Sequence, residues 1–327
     1  MDEYDAFMHQ WNVSGCLDNA TDNEEICSKI LRRYLNNTLP LTFGQQSSTK
    51  FQILKGVSIS LCSLSILLKF TLMSLHYKDP MKRFRNSSSF LILNFVIADI
   101  SGASLRLLQN VYKPKDQMII KITLWLLSAA LLCSFGTAMF VAFDRYVAIA
   151  FPFQYRAMDR TKRTIVVNTT VWLFSLSLCS ILFFIPSIFN SLAPSVVYPV
   201  NIFILFALIL VFYTSTQRKF RQQRKQLFNL NTTNQQLRQQ KLKTEKNLAN
   251  TMLLVSFSLI LFTTPYMLMF FFIQTNCLSC IMNTHFLEFW LYWPFLFPIL
   301  YVTNPIIYAW KIPVYRKSLK QLLNTLF

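Results

Sequence analysis

The chain has 327 residues, 53% of them hydrophobic, 15% aromatic and only 14% charged, a composition too apolar for a soluble protein of this size. Its five glycines leave little scope for phosphate-cradling loops or dinucleotide fingerprints. The net charge of +18 sits in short basic patches between apolar runs, a distribution that speaks against nucleic-acid binding.

Residues 1–50 are polar, hold seven of the 14 acids and lack the apolar core of a signal peptide, so the first apolar run is expected to act as its own insertion signal. Asn12, Asn19 and Asn36 each head an Asn-X-Ser/Thr triplet, the acceptor pattern of an extracellular segment. Seven apolar runs follow, at about 51–76, 88–110, 117–143, 164–190, 197–216, 248–274 and 286–310. Each can cross a ~30 Å hydrocarbon core at ~1.5 Å per helical residue. Their apolar residues continue all round, which favours helices over a membrane barrel.

The connections near 77–86, 156–163 and 217–246, with the tail from 311, carry most of the 32 basic residues. Basic segments stay in the cytoplasm. The chain is therefore expected to be a multi-pass plasma-membrane protein with its N-terminus outside and its C-terminus inside. Residues 1–50 form an extracellular tail, 51–310 a seven-helix transmembrane domain, and 311–327 a cytoplasmic amphipathic eighth helix and C-terminus. The triplets at Asn86 and Asn231 fall on the inner side and should remain unused. The long connection reads as cytoplasmic extensions of spans five and six around a turn near Asn229–Asn234. Cys277 and Cys280 face the oxidising side two residues apart, so a tight disulfide is expected there. Cys16–Cys27 is a second candidate, and a bridge from the tail to the third outer loop is the competitor. Cys62, Cys133 and Cys179 read as small packing residues.

Several polar residues interrupt the greasy runs. Asp99 lies mid-span in Asn94-Phe-Val-Ile-Ala-Asp99, where a carboxylate costs roughly 2.5–3.5 kcal/mol and marks a functional position; a protonated Asp bonded to hydroxyls is the plainer reading. Arg106 lies about two turns outward of Asp99 with Gln109 on nearly the same face, and both are expected to line a ligand cavity in which the guanidinium meets an anionic group. Pairing with Glu288, or snorkelling, is the structural alternative. Asn304-Pro305-Ile-Ile-Tyr308 places a proline hinge in span seven. Asp144-Arg145-Tyr146 stands at the inner end of span three. No internal repeat supports a transporter. His9, His76 and His285 lie at or beyond the membrane edges, and no zinc or nucleophilic-serine motif occurs. An enzyme is not expected.

Leu-Asn-Phe-Val-Ile-Ala-Asp in span two, Asp-Arg-Tyr in span three, Trp172 in span four, Pro265 in span six and Asn-Pro-Ile-Ile-Tyr in span seven, in this order, resemble the rhodopsin-like (class A) G-protein-coupled receptors over about residues 51–327. The resemblance implies an all-α seven-transmembrane bundle that couples an extracellular ligand to a heterotrimeric G protein, with arrestin as a second partner. It implies a sodium ion held by Asp99, Ser134 and Asn304. It makes Arg145 the residue that engages the G protein, Tyr213 and Tyr308 tyrosines that swing on activation, and Phe153 a hydrophobe that docks into the G protein. Glu245, twenty residues before Pro265 and so about 30 Å away along one helix, matches an acid that pairs with Arg145 at rest in some members.

The departures narrow the ligand. Thr263 replaces the usual span-six Trp, Leu205 stands at the expected span-five proline, span one lacks the usual Gly-Asn pair, and no Cys begins span three. The missing Cys and the non-proline span five, with a short second outer loop and Cys277-Leu-Ser-Cys280, resemble the melanocortin, adenosine and lipid receptor group. Leu127 replaces the Asp of amine receptors, and Pro298 the retinal lysine of opsins. A peptide or chemosensory ligand is expected, with a small lipid or nucleoside-like ligand as the alternative.

Overall fold

A computed structural model describes residues 49–78, 87–112, 116–157, 160–185, 193–228, 235–274 and 292–311, together with Tyr315, Arg316, Ser318 and Gln321. Nearly all of these residues are helical, and none forms a strand. Span one is Thr49–Lys78, span two Ser87–Val111, span three Gln117–Ala150, span four Arg160–Phe184, span five Ala193–Phe228 and span six Gln235–Gln274. Among the described residues six helices are long and apolar enough to cross a membrane. Span seven is helical over 292–296 and again over Pro298–Lys311, with a turn at Phe297 between. Asn12, Asn19, Asn36, Asn86, Asn231, Cys16, Cys27, Cys277, Cys280, Glu288 and the apolar residues expected to face the membrane in the tail lie outside the described residues.

The runs at 51–76, 88–110, 117–143, 197–216 and 248–274 fall inside these helices, which run further, whereas the run at 164–190 outlasts its helix, which ends at Phe184, and the run at 286–310 begins outside the described residues. Span three starts at Asp116, whose carboxylate accepts the Met118 N–H at 2.8 Å, the usual way of satisfying an orphan helix donor. It continues to Ala150, seven residues past the apolar run, because Asp144 and Arg145 find partners within the bundle. Phe151 ends it, its N–H still bonded to the Val147 carbonyl at 2.9 Å. Pro152, with no N–H to lose, then opens a short helix, Pro152–Ala157, which hydropathy gave no reason to expect. Spans five and six extend through the basic stretch on both sides of 229–234, as its composition implied.

Span three is the axis of the bundle and packs against spans two, four, five and six, while span one leans on spans two and seven. Phe95, Phe135, Ile209, Leu259, Leu300 and Tyr308 fill the centre. Leu67, Phe70, Ile165, Leu173, Phe203 and Phe257 point outward, where lipid rather than water must solvate them.

Two proline breaks in span seven are placed where neighbouring spans repair them. Pro298 cannot donate to the Pro294 carbonyl, and Arg106 Nη2 of span two does so instead at 2.8 Å. Pro305 leaves the Tyr301 carbonyl without its helical donor, and Ser65 Oγ of span one supplies one at 2.9 Å. Beside the break made by Pro265 in span six, the Trp293 indole N–H donates to the Phe262 carbonyl at 3.0 Å. The repairs at Pro298 and Pro305 each exchange an intrahelical bond for one between helices, so span seven is held by its neighbours.

Candidate functional site

Near the Ala150 end of span three, Arg145 turns back into the bundle and is buried there. Its Nη2 bonds the carboxylate of Asp144 and donates to the Tyr155 hydroxyl at 3.0 Å. Tyr155, carried in by the short loop helix, donates in turn to Asp144 Oδ2 at 3.1 Å. Arg163, at the start of span four, bonds Asp144 Oδ1 at 2.8 Å and lies over the Tyr155 ring at 4.4 Å. Burial pushes the Tyr155 phenol upward from its ordinary value, against the opposing pull of Arg145. The hydroxyl thus keeps the proton it donates to Asp144. One carboxylate holds two guanidinium groups here, so the cluster carries a net positive charge close to the membrane face.

The surroundings of this cluster are apolar or weakly polar. Tyr146 is half-buried between Phe151, at 6.4 Å, and Phe212, at 6.1 Å. Phe153 is 86% exposed at the tip of the loop helix. Spans five and six are joined by Gln217 Nε2 donating to Asn250 Oδ1 at 2.9 Å and by Lys246 over the Phe220 ring at 5.1 Å. Gln223 Nε2 donates to the Ile149 carbonyl at 2.6 Å, which ties span five to span three. The Glu245 side chain lies outside the described residues, though its backbone belongs to the span-six helix. Tyr213 is half-buried on span five. Tyr308 is buried, edge-on to Phe95 at 6.2 Å, and its hydroxyl has no hydrogen-bond partner among the described residues.

Deep in the bundle, Asp99, Ser134 and Asn304 come together as the sequence implied. Ser134 Oγ donates to Asp99 Oδ1 at 3.1 Å, and Asn304 Nδ2 to Asp99 Oδ2 at 2.7 Å. A fourth group shares the cage. Lys69, 1% exposed at the middle of span one, brings Nζ to 3.5 Å from Asp99 Oδ2. It also donates to Ser65 Oγ at 2.9 Å and lies over the Tyr301 ring at 4.9 Å. Nearby, Trp172 Nε1 donates to Asn94 Oδ1 at 2.9 Å and Asn94 Nδ2 to Thr137 Oγ1 at 2.9 Å, locking spans two, three and four together.

In the outer half Arg106 is half-buried. Its Nη1 donates to Gln109 Oε1 at 2.9 Å while Nη2 serves the Pro294 carbonyl. The two residues expected on one face are thus joined to each other and to span seven. Thr263 is buried and bonds its own helix at the Leu259 carbonyl, 2.8 Å away, while Trp293 of span seven stacks on Phe262 at 6.0 Å. An indole therefore packs against span six near Pro265 although span six supplies none.

Sequence reasoning missed Lys69, Tyr155, Arg163 and Trp293. Lys69 was detectable, since a lone ammonium within an apolar run is as costly as the carboxylate at Asp99. The other three had no such signal, because a Tyr, an Arg and a Trp near membrane edges are common there.

A sequence profile of the family described as "7 transmembrane receptor (rhodopsin family)" matches residues 72–308. The fold is similar to that in a crystal structure of squid rhodopsin, with a TM-score of 0.66 and 14% sequence identity over 89% of this chain and 86% of that one. At that identity the likeness concerns the fold. No curated protein sequence matches the chain.

Proposed function

The chain belongs to the rhodopsin family of seven-transmembrane receptors, and from that premise we propose that it binds an extracellular ligand in its outer half and activates a heterotrimeric G protein at its inner face. It is a multi-pass membrane protein and, like its family, a receptor and not an enzyme. The observation that carries the proposal is the buried Arg145, tied to Asp144 and Tyr155 between spans three and four. A guanidinium so placed can be released by rearrangement of the spans around it. Activation is a two-state shift in which span six moves outward and Arg145 turns to the G protein, with the ligand biasing the balance.

The rest of the reading is of the same kind. The receptor resides in the plasma membrane with its N-terminus outside, and arrestin shares the inner face. Phe153 supplies the docking hydrophobe. Glu245 joins Arg145 in the resting latch. Arg106 and Gln109 line the ligand cavity, where an anionic ligand group would compete with the Pro294 carbonyl for the guanidinium. The ligand itself is a peptide or a chemosensory molecule.

Ligand-free nucleotide exchange on G proteins, measured in membranes at matched surface expression, tests the mechanism. Glu245→Gln should raise exchange above wild type, and Arg145→Ala should reduce it to the level of receptor-free membranes. Exchange by Arg145→Ala equal to that of wild type, across every G-protein class that responds, would sink the reading.

A further inference from the structure

The resemblance implies a sodium ion at Asp99, and the residues present do not fit one. Donors from spans three and seven and the ammonium of span one are already turned towards Asp99. Ser134 and Asn304 donate to its two oxygens, at 3.1 and 2.7 Å, and Lys69 Nζ stands 3.5 Å from Oδ2. Lys69 and Asp99 together carry no net charge, so the cage is balanced as it stands. A further cation would leave it at +1. That cation would have to sit beside Lys69, whose ammonium would repel it. The one buried side-chain acceptor in the cage without a partner among the described residues is Asn304 Oδ1. A single amide oxygen does not make the oxygen shell a hard cation needs.

Lys69 is also built into the cage by its other contacts. At 1% exposure it cannot snorkel to an interface. An unpaired buried ammonium would cost several kcal/mol, so its position depends on Asp99, as that of Asp99 depends on it. Ser65, which accepts from Nζ, donates to the Tyr301 carbonyl that Pro305 leaves free. The ammonium is therefore wired to the hinge of span seven as well as to the carboxylate of span two.

We infer that Lys69 is the resident counter-cation of Asp99, a covalently tethered substitute for the sodium ion, and that this receptor does not bind sodium in its transmembrane core. The inference rests on the family reading of the Asp99 cage, but its test uses no G protein, so failure of one leaves the other standing.

The test is thermal unfolding of the purified full-length receptor in detergent, followed by tryptophan fluorescence, in sodium chloride and in choline chloride at equal ionic strength. An ion that binds only the folded form raises Tm. The expected Tm is the same in both salts for wild type. A sodium-specific rise in wild type that disappears in Asp99→Asn would overturn the inference. A second measurement needs no ion. Lys69→Met and Asp99→Leu should each lower Tm, while the double variant, with neither charge left unpaired, should recover most of the loss. Losses that simply add in the double variant would show that the two groups are not partners.

Discussion

At the scale of single residues, the inner cluster depends on one hydroxyl. Tyr155 accepts from Arg145 and donates to Asp144, whereas its ring serves Arg163. Tyr155→Phe keeps the ring and removes both bonds. Hydrogen bonds to charged groups contribute about 1.5–3 kcal/mol, and a shift of 1.4 kcal/mol is tenfold in an equilibrium. On the proposed mechanism the resting state loses that support, so ligand-free nucleotide exchange should rise about tenfold. Tyr155→Leu, which also removes the ring, should rise further. Exchange at the wild-type level in both variants would place Tyr155 outside the latch. The pairing of Asp144 with Arg145 was legible because the two are adjacent in the chain. Arg163 was not, because its approach depends on how span four meets the loop helix. Likewise Asp99 and Lys69 each stand out in an apolar run, but nothing in periodicity says that residues thirty positions apart face one another.

At the scale of the element, hydropathy located every span whose boundaries are described and misjudged how far the helices continue. It reports where side chains meet lipid, whereas a helix ends where its backbone loses partners. Span three therefore runs on through Asp144 and Arg145 to Ala150. Close approach between elements is equally hidden from hydropathy, and two glycines show the contrast. A Cβ on Gly102 of span two would lie 2.7 Å from the Tyr301 hydroxyl and 3.0 Å from its Cζ, but one on Gly56 of span one would meet nothing within 4 Å. Alanine in place of glycine favours a helix by up to ~1 kcal/mol. Gly56→Ala should therefore raise Tm slightly. Gly102→Ala should lower it, because displacing the buried Tyr301 ring costs about 1–3 kcal/mol of overpacking. Equal shifts for the two variants would mean that Tyr301 yields without cost.

At the scale of the whole molecule, the charge bias fixes what can be checked about orientation. With residues 1–50 outside, a glycosidase should remove mass attributable to Asn12, Asn19 and Asn36, and substituting all three with Gln should abolish that change while substituting Asn86 and Asn231 leaves it intact. Peptide mapping without reduction should recover Cys277 joined to Cys280; free thiols at both positions would end that expectation. The seven-helix plan was legible in the sequence because each span repeats one strong signal. The repairs at Pro298 and Pro305 were not, since they depend on which helix stands beside which. The lengths of spans five and six have one more consequence. Span six contains 40 residues, about 60 Å of helix at ~1.5 Å per residue, nearly twice the hydrocarbon thickness. From Pro265 to its inner end at Gln235 the helix is an arm of about 45 Å. A swing of only about 10° at that proline would carry the tip some 8 Å sideways, by plain trigonometry on that arm. On the proposed mechanism the polar extension would act as a mechanical amplifier, turning a change of a few tenths of an ångström at the hinge into a shift of about 8 Å at its far tip.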